Sequence, residues 1–363
     1  MCTALPARIG ALADLAGRAH QDNDLTAAAR VYNQAALIAS DCGQPDLARQ
    51  WCHRHARAWL DRGNLDNTLG RKALEPLVNL ARLHIRAGDH DDGLTLLTNL
   101  YQAITHRTDT TIDSIPLPAA ALTPTQEIHR DLSRWLWGVH LADGTRALTS
   151  AGRWDEAEAH LQQHHGIGHR MLDGRQVAII ARIQRDQHAA ALHLISQTHP
   201  GEAWEAAVTA CLAAMCQPDG QLRSEHINLM ATRYREVAYE PSLIVFQTRL
   251  ALTMIEVTGS PSAPELESIG YQTAQAAVRA ADGYAAREIL ASSTWTASLG
   301  AETRQALIDV LAASGLGRPL SSPLMELLTA AFGQCDAAIS NAAGGSAGPI
   351  RIAAGPAARL SHR

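Results

Sequence analysis

"AGRWDEAEAHL", Ala151 to Leu161, is the stretch on which the fold turns. A glycine interrupts an apolar helical pattern, a bulky residue follows two positions on at Trp154, and a small residue follows five on at Ala157. Glycine enters the left-handed backbone region without steric cost, so Gly152 can end one helix and let the next begin at once. Trp154 then packs back on the turn, and Ala157 lets the two rods approach closely. The pattern predicts a tight helical hairpin.

The same spacing recurs in "NDLTAA" (Asn23, Leu25, Ala28) and "DQHAAA" (Asp186, His188, Ala191). Looser copies stand at Gly63 ("GNLDNT") and Gly88 ("GDHDDG"), and "GQPDLA" at Gly43 keeps the ends with Pro45 between them. Apolar residues flank each turn at intervals of three and four: Ile9, Leu12, Leu15 and Ala19 before the first, Leu25, Ala28, Val31, Tyr32 and Ala35 after it. Such periodicity marks amphipathic helices. Asn23, Gly43 and Gly63 are separated by equal steps of 20 residues, one helix plus a turn. Gly152 and Asp186 are 34 apart, the length of a two-helix repeat.

"AGRWDEAEAHL" resembles the start of the second helix of a tetratricopeptide repeat, and "ARLHIRAGDHDDGLTLL" and "AIIARIQRDQHAAALHLI" resemble degenerate copies spanning the turn. The resemblance runs, with gaps, from Leu12 to Leu194; the first helices lack the family's W-x-x-L-G-x-x-Y signature. It implies an all-α fold of antiparallel helical hairpins, stacked as a right-handed tetratricopeptide-like superhelix. The concave groove of that family commonly holds an extended peptide or a partner protein. Each rod is expected to lean only on those next to it.

The expected organisation is hairpins over 1–104, a Pro/Thr-rich loop at 105–127, further hairpins over 128–200, a C-terminal helical array over 201–335 and a disordered tail at 341–363. The loop carries Pro116, Pro118 and Pro124, which exclude a single helix, with a short extended segment at Thr110–Ile115. "SLIVFQTRLALTMIEV" is apolar nearly all round and should be the most buried helix of the second half. The tail, rich in Gly, Ala and Pro, has too little apolar mass to fold.

Composition narrows the function. The chain has 363 residues and a net charge of −5, without a basic block able to neutralise several phosphates, so direct nucleic-acid binding is not expected. Lys72 is the only lysine; the arginine and alanine bias reads as a GC-rich, actinobacterial type of genome. Six cysteines without a C-x-x-C pair fit a reducing cytoplasm. "MCTALPARIG" does not read as a signal peptide, and no apolar stretch is long enough for a membrane span. No strand–Gly loop–helix motif is present, and no cofactor is expected.

Several residues are candidates for a ligand site. Trp51, His55 and Trp59 form an aromatic stripe at i, i+4, i+8 that suits either a groove floor or a seam between helices, and Cys52 lies three residues from His55. In "HRDLSRWLWGVHLADGTRAL", Arg134, Trp137 and Leu141 lie along one line of a helix and Trp135, Val139 and Ala142 along another; Arg134 and Trp137 could hold a peptide carboxylate or ring, or simply pack. Arg170 and Arg175 flank the His-rich "HLQQHHGIGHRMLDGRQ" and could hold an anion. Within it, His160 and His164 are one turn apart, which suits a shared metal; the same residues could only cap a helix end, and a metal would need further ligands. Glu156 and Glu158 read as first-turn acids facing a helix N-terminus. No catalytic residue is assigned.

The leading reading is a protein- or peptide-binding helical scaffold, the sensing or adaptor part of a bacterial regulatory system. Its partner is a protein or peptide, with a homodimer as one form. The alternative is a small-molecule-binding protein or enzyme of specialised metabolism with a His/Trp-lined cavity.

Overall fold

Asn23 leaves the first helix with φ 50°, and its amide closes back on the Ala19 carbonyl. The other turns singled out by sequence do the same: Gly43, Gly88, Gly152 and Asp186 all have positive φ, from 57° to 92°. Gly63 lies outside the described residues. A computed structural model describes residues 2–61, 67–217, 222–259 and 264–344.

These turns separate α1 (Leu5–Asp22), α2 (Leu25–Asp41), α3 (Pro45–Leu60), α4 (Asn67–Ala87) and α5 (His90–His106). Asp24 caps α2 by accepting from the amides of Thr26 and Ala27 at 2.8 and 3.0 Å. Successive helices pack side by side, and α2 also touches α4.

Residues 105–127 form structure of their own. β1 (Thr110–Ile112) and β2 (Ile115–Leu117) pair antiparallel, with Thr110 opposite Leu117 and Ile112 opposite Ile115. Asp113 and Ser114 both take positive φ, the conformation a two-residue hairpin turn requires. A single turn of helix, α6 (Ala119–Leu122), follows. Ile112, Ile115, Leu117, Ala119 and Leu122 are buried, while Pro116 is exposed on the strand's outer face. The segment expected as a loop is a folded plug against α3 and α5, because alternate residues of a short strand can bury an apolar face that no helical period reveals.

The chain continues through α7 (Gln126–Ser150), α8 (Trp154–Gln163), α9 (Asp173–Gln184), α10 (His188–Ser196), α11 (Ala203–Met215) and α12 (Ser224–Glu236). α13 (Ile244–Thr258), α14 (Pro264–Ala280), α15 (Gly283–Ala291), α16 (Ser293–Ser298), α17 (Ala301–Ser314) and α18 (Ser322–Gly344) complete it. The all-α class is correct. Within α13, Ile244, Leu250, Ala251, Met254 and Ile255 are among the buried residues. α16 forms in a Ser/Thr-rich stretch because Ser292 caps it and Trp295 is buried.

The ends of the array meet. α18 packs against α1, α2 and α3, and Phe332 stacks on Tyr32 with ring centroids 4.7 Å apart. The Cys2 amide donates to Asp282 Oδ2 at 2.7 Å, Arg8 donates to the Ser314 carbonyl at 2.6 Å, and the Tyr284 hydroxyl donates to Asp41 at 2.5 Å. Helices far apart in sequence therefore lie side by side where the two ends meet. The face of α1 that an open stack would leave bare is covered by Leu328, Ala331 and Cys335 of α18, all buried.

Two cores result. One unites α1–α5, the hairpin, α6, α7 and α18; the other runs from Met171 to Leu307. Leu148, Ala157, Leu161 and Val177 form a third, smaller cluster where α7, α8 and α9 meet. Ile112, Ile115, Leu117, Ala119 and Leu122 thus belong to the first core. Of the tail expected at 341–363, residues 341–344 continue α18 and the rest lie outside the described residues.

Candidate functional site

α2, α4 and α7 are neighbours in one layer, and their shared face forms a cleft of about 580 Å³. Helical periodicity brings Arg30, Asn33, Leu37 and Ser40 of α2 to it, and Lys72, Glu75, Asn79, Arg82 and Arg86 of α4. Trp135 and Val139 of α7 form the far wall. Leu37 remains 44% exposed, so a large apolar side chain stands open within a polar surround.

A row of hydrogen bonds crosses the floor. Asn33 Nδ2 donates to Glu75 Oε2 at 2.7 Å, Asn79 Nδ2 donates to Asn33 Oδ1 at 3.0 Å, and Arg82 Nη1 donates to Asn79 Oδ1 at 3.2 Å. Buried carboxylates anchor two of the arginines from behind: Arg82 Nε binds Asp143 Oδ2 at 2.9 Å and Arg86 Nη1 binds Asp41 Oδ1 at 3.0 Å. Arg30 and Lys72 have no carboxylate partner among the described residues. Four cations and one carboxylate therefore line the cleft of a chain whose net charge is −5.

A second cluster stands between α7 and α8. His140 lies against His160 and His164 with ring centroids 5.0 and 4.9 Å away, and the Tyr101 ring stacks on His140 at 5.3 Å. Burial lowers the pKa of His140 to about 4, helped by the two neighbouring imidazoles, and burial likewise pushes His160 and His164 down. All three favour the neutral form.

No family model, curated protein or solved structure matches the chain.

The residues named from sequence are distributed as follows. Trp51, His55 and Trp59 are buried in the first core: His55 stacks on Tyr32 at 4.9 Å, and Trp51 meets Phe332 edge-on at 5.0 Å. They form the seam that holds α2, α3 and α18 and do not line the cleft. Burial drives the Cys52 thiol up to about 12, which keeps it a thiol, and among the described residues no hydrogen bond joins it to His55. Arg134 is exposed and Trp137 is 37% exposed, and neither lines the cleft; the wall is Trp135, on the other line of α7. Choosing between those lines needed the position of α4.

Arg170 pairs with Glu205. Arg175 is buried and donates to the carbonyls of Gly168 and Leu194 and to Thr198, so it braces the Gly-rich turn from inside. His160 and His164 are brought together, with His140 as a third imidazole that sequence spacing did not join to them. Glu158 is not a solvated first-turn acid: it is buried and receives Arg182 and Arg185 of α9 and its C-cap. Glu156 binds Arg153 at the surface. No described helix is long and apolar enough to cross a membrane.

Proposed function

We propose that the protein is a helical scaffold whose α2–α4–α7 cleft binds an extended, acidic peptide segment of a partner protein. The observation that carries this reading is the Asn33–Asn79 pair on the cleft floor. Each carboxamide uses one N–H and one lone pair in the row described above. Each keeps one donor and one acceptor for a ligand. That complement matches the N–H and C=O of a peptide backbone, while Leu37 and Trp135 offer apolar contact to side chains. Arg30, Lys72, Arg82 and Arg86 supply attraction to carboxylates, which raises association rates at low salt. An adaptor or sensing role in regulation is the use that such a recognition surface suits.

The test is fluorescence anisotropy with labelled acidic decapeptides of mixed sequence, alongside matched basic decapeptides. Saturable binding of the acidic set, weakened about tenfold by Asn33→Ala with Asn79→Ala (about 1.4 kcal/mol) and by Arg30→Glu with Lys72→Glu, supports the reading. Equal affinity for both peptide sets, or no effect of either double substitution, ends it. A small anionic molecule is the second reading, favoured by the cleft volume, which falls in the range of small-ligand pockets. Affinity that no longer rises beyond a dipeptide would select it.

A further inference from the structure

His140, His160 and His164 lie outside the cleft's lining and have no part in the function just proposed. One ring nitrogen from each comes within 4.8 Å of the others. The hydrogen bonds around them fix which nitrogens are free. The Thr98 hydroxyl donates its one proton to the Leu94 carbonyl at 2.9 Å, so at its 3.0 Å contact with His140 Nε2 it can only accept. Nε2 of His140 therefore carries the ring proton, and Nδ1 is a bare acceptor. That Nδ1 is buried and has no hydrogen-bond partner, on a side chain only 5% exposed. His160 Nε2 lies 3.2 Å from the His140 carbonyl, which accepts only, so His160 likewise keeps its lone pair on Nδ1.

A buried acceptor without a donor is costly unless something occupies it. Two imidazoles whose Nε2 atoms are held by a hydroxyl and a carbonyl, in a cluster of three whose ring nitrogens lie within 4.8 Å of one another, resemble the outer-shell arrangement that orients metal-bound histidines. We propose that His140 Nδ1, His160 Nδ1 and a ring nitrogen of His164 bind one first-row divalent transition-metal ion, Zn²⁺ in the first instance. The donor set is all nitrogen, which suits Zn²⁺, Ni²⁺ or Cu²⁺ and does not suit Mg²⁺ or Ca²⁺. Nitrogens around a tetrahedral ion at 2.0–2.1 Å sit about 3.3 Å apart, so binding draws the rings together by small side-chain rotations. His164 is half-buried at the rim and gives the ion a way in. Three protein ligands leave the fourth position to water or an exogenous group.

Gly144 belongs to the same design. A Cβ at this position of α7 would stand 2.9 Å from His160 Nε2, so the absence of a side chain is what lets α8 bring His160 against the α7 backbone.

The experiment uses the full chain. After equilibration with Zn²⁺ and dialysis, elemental analysis should find one equivalent per chain, and Co²⁺ should give the visible bands of a tetrahedral site. His164→Gln, at the rim, should lose the bound metal while keeping the wild-type circular dichroism melt. Thr98→Val, which frees the His140 tautomer, should weaken binding by about 10- to 100-fold. His169→Gln, in the separate stacked His169–His199 pair, should change nothing. Because substitution at the buried His140 could itself prevent folding, wild-type histidine ¹⁵N spectra supply a reading without mutation: Zn²⁺ should shift three side chains, two of them at Nδ1. Absence of stoichiometric metal in the wild type, retention of one equivalent by His164→Gln, or shifts confined to other histidines overturns the proposal.

Discussion

The amide of Cys2 and the carboxylate of Asp282 meet at 2.7 Å across 280 positions of sequence. The same carboxylate caps α15 by accepting from the amides of Tyr284 and Ala285 at 2.9 and 3.0 Å, and it is fully buried. One side chain thus starts a helix and fastens the beginning of the chain to it. Asp282→Ala leaves three amides without their acceptor. It is expected to destabilise by about 2–4 kcal/mol, a lost cap plus buried unsatisfied donors. Urea unfolding checks this; an unchanged midpoint would mean that the junction contributes nothing.

Phe332 tests the closure from the other side. It is 1% exposed, stacks on Tyr32 and meets Trp51 edge-on. Phe332→Ala should cost about 3–5 kcal/mol, the usual range for emptying a buried aromatic site. The emission of Trp51 should change in the native state as well. A loss below about 1 kcal/mol would show that α18 is only loosely docked.

Glu158 is the buried hinge of charge between α8 and α9. Arg182 and Arg185, both partly exposed, converge on its two oxygens. Glu158→Gln removes the negative charge and leaves two guanidinium groups facing each other. Because the arginines retain some water, a loss of about 2–3 kcal/mol is expected, at or just below the range for breaking a fully buried pair. A double-mutant cycle with Arg182→Met should return a coupling of at least 0.5 kcal/mol; additivity would contradict the pairing.

His55 should make the protein acid-sensitive. Its pKa is pushed down to about 3, first by burial and then by the charge of Lys72. Above the unfolded value of about 6.5 the ring is neutral in both states and costs nothing. Below it the unfolded chain takes up a proton that the folded chain refuses. Stability then falls as pH drops, by about 1.4 kcal/mol per unit, until the native ring protonates near 3. His140 adds the same slope down to about 4. His55→Phe keeps the stack on Tyr32 and should reduce the slope between pH 6 and 4 by about 1.4 kcal/mol per unit, the share of one histidine, measured by urea unfolding. An unaltered slope would rule out His55 as a source.

What was legible in the sequence was local. Asn23, Gly43, Gly88, Gly152 and Asp186 announce their turns because a left-handed residue followed by a bulky and a small one has few other uses. Two of the three histidines of the cluster were visible because i and i+4 share a helix face. His140 was not joined to them, since its helix meets α8 only through tertiary packing. Trp135 and Trp137 lie on different lines of α7, and only the position of α4 decides that the line of Trp135 faces the cleft. Nor could the seam of Trp51, His55 and Trp59 be told from a groove floor without Phe332, which arrives from α18. The hairpin at 110–117 hid behind its prolines.

The return of α18 onto α1 has a consequence for synthesis. An open stack of repeats can consolidate from its leading end while the rest is still being translated. Here, 300 residues separate the end of α1 from the start of α18. At ordinary elongation rates, about 15 to 60 s pass before the nascent first core can receive Leu328 and Phe332. Through that interval the growing polypeptide carries an uncovered apolar strip. Its burden on the cell's holding chaperones is therefore set at the ribosome, by the order in which its helices are made.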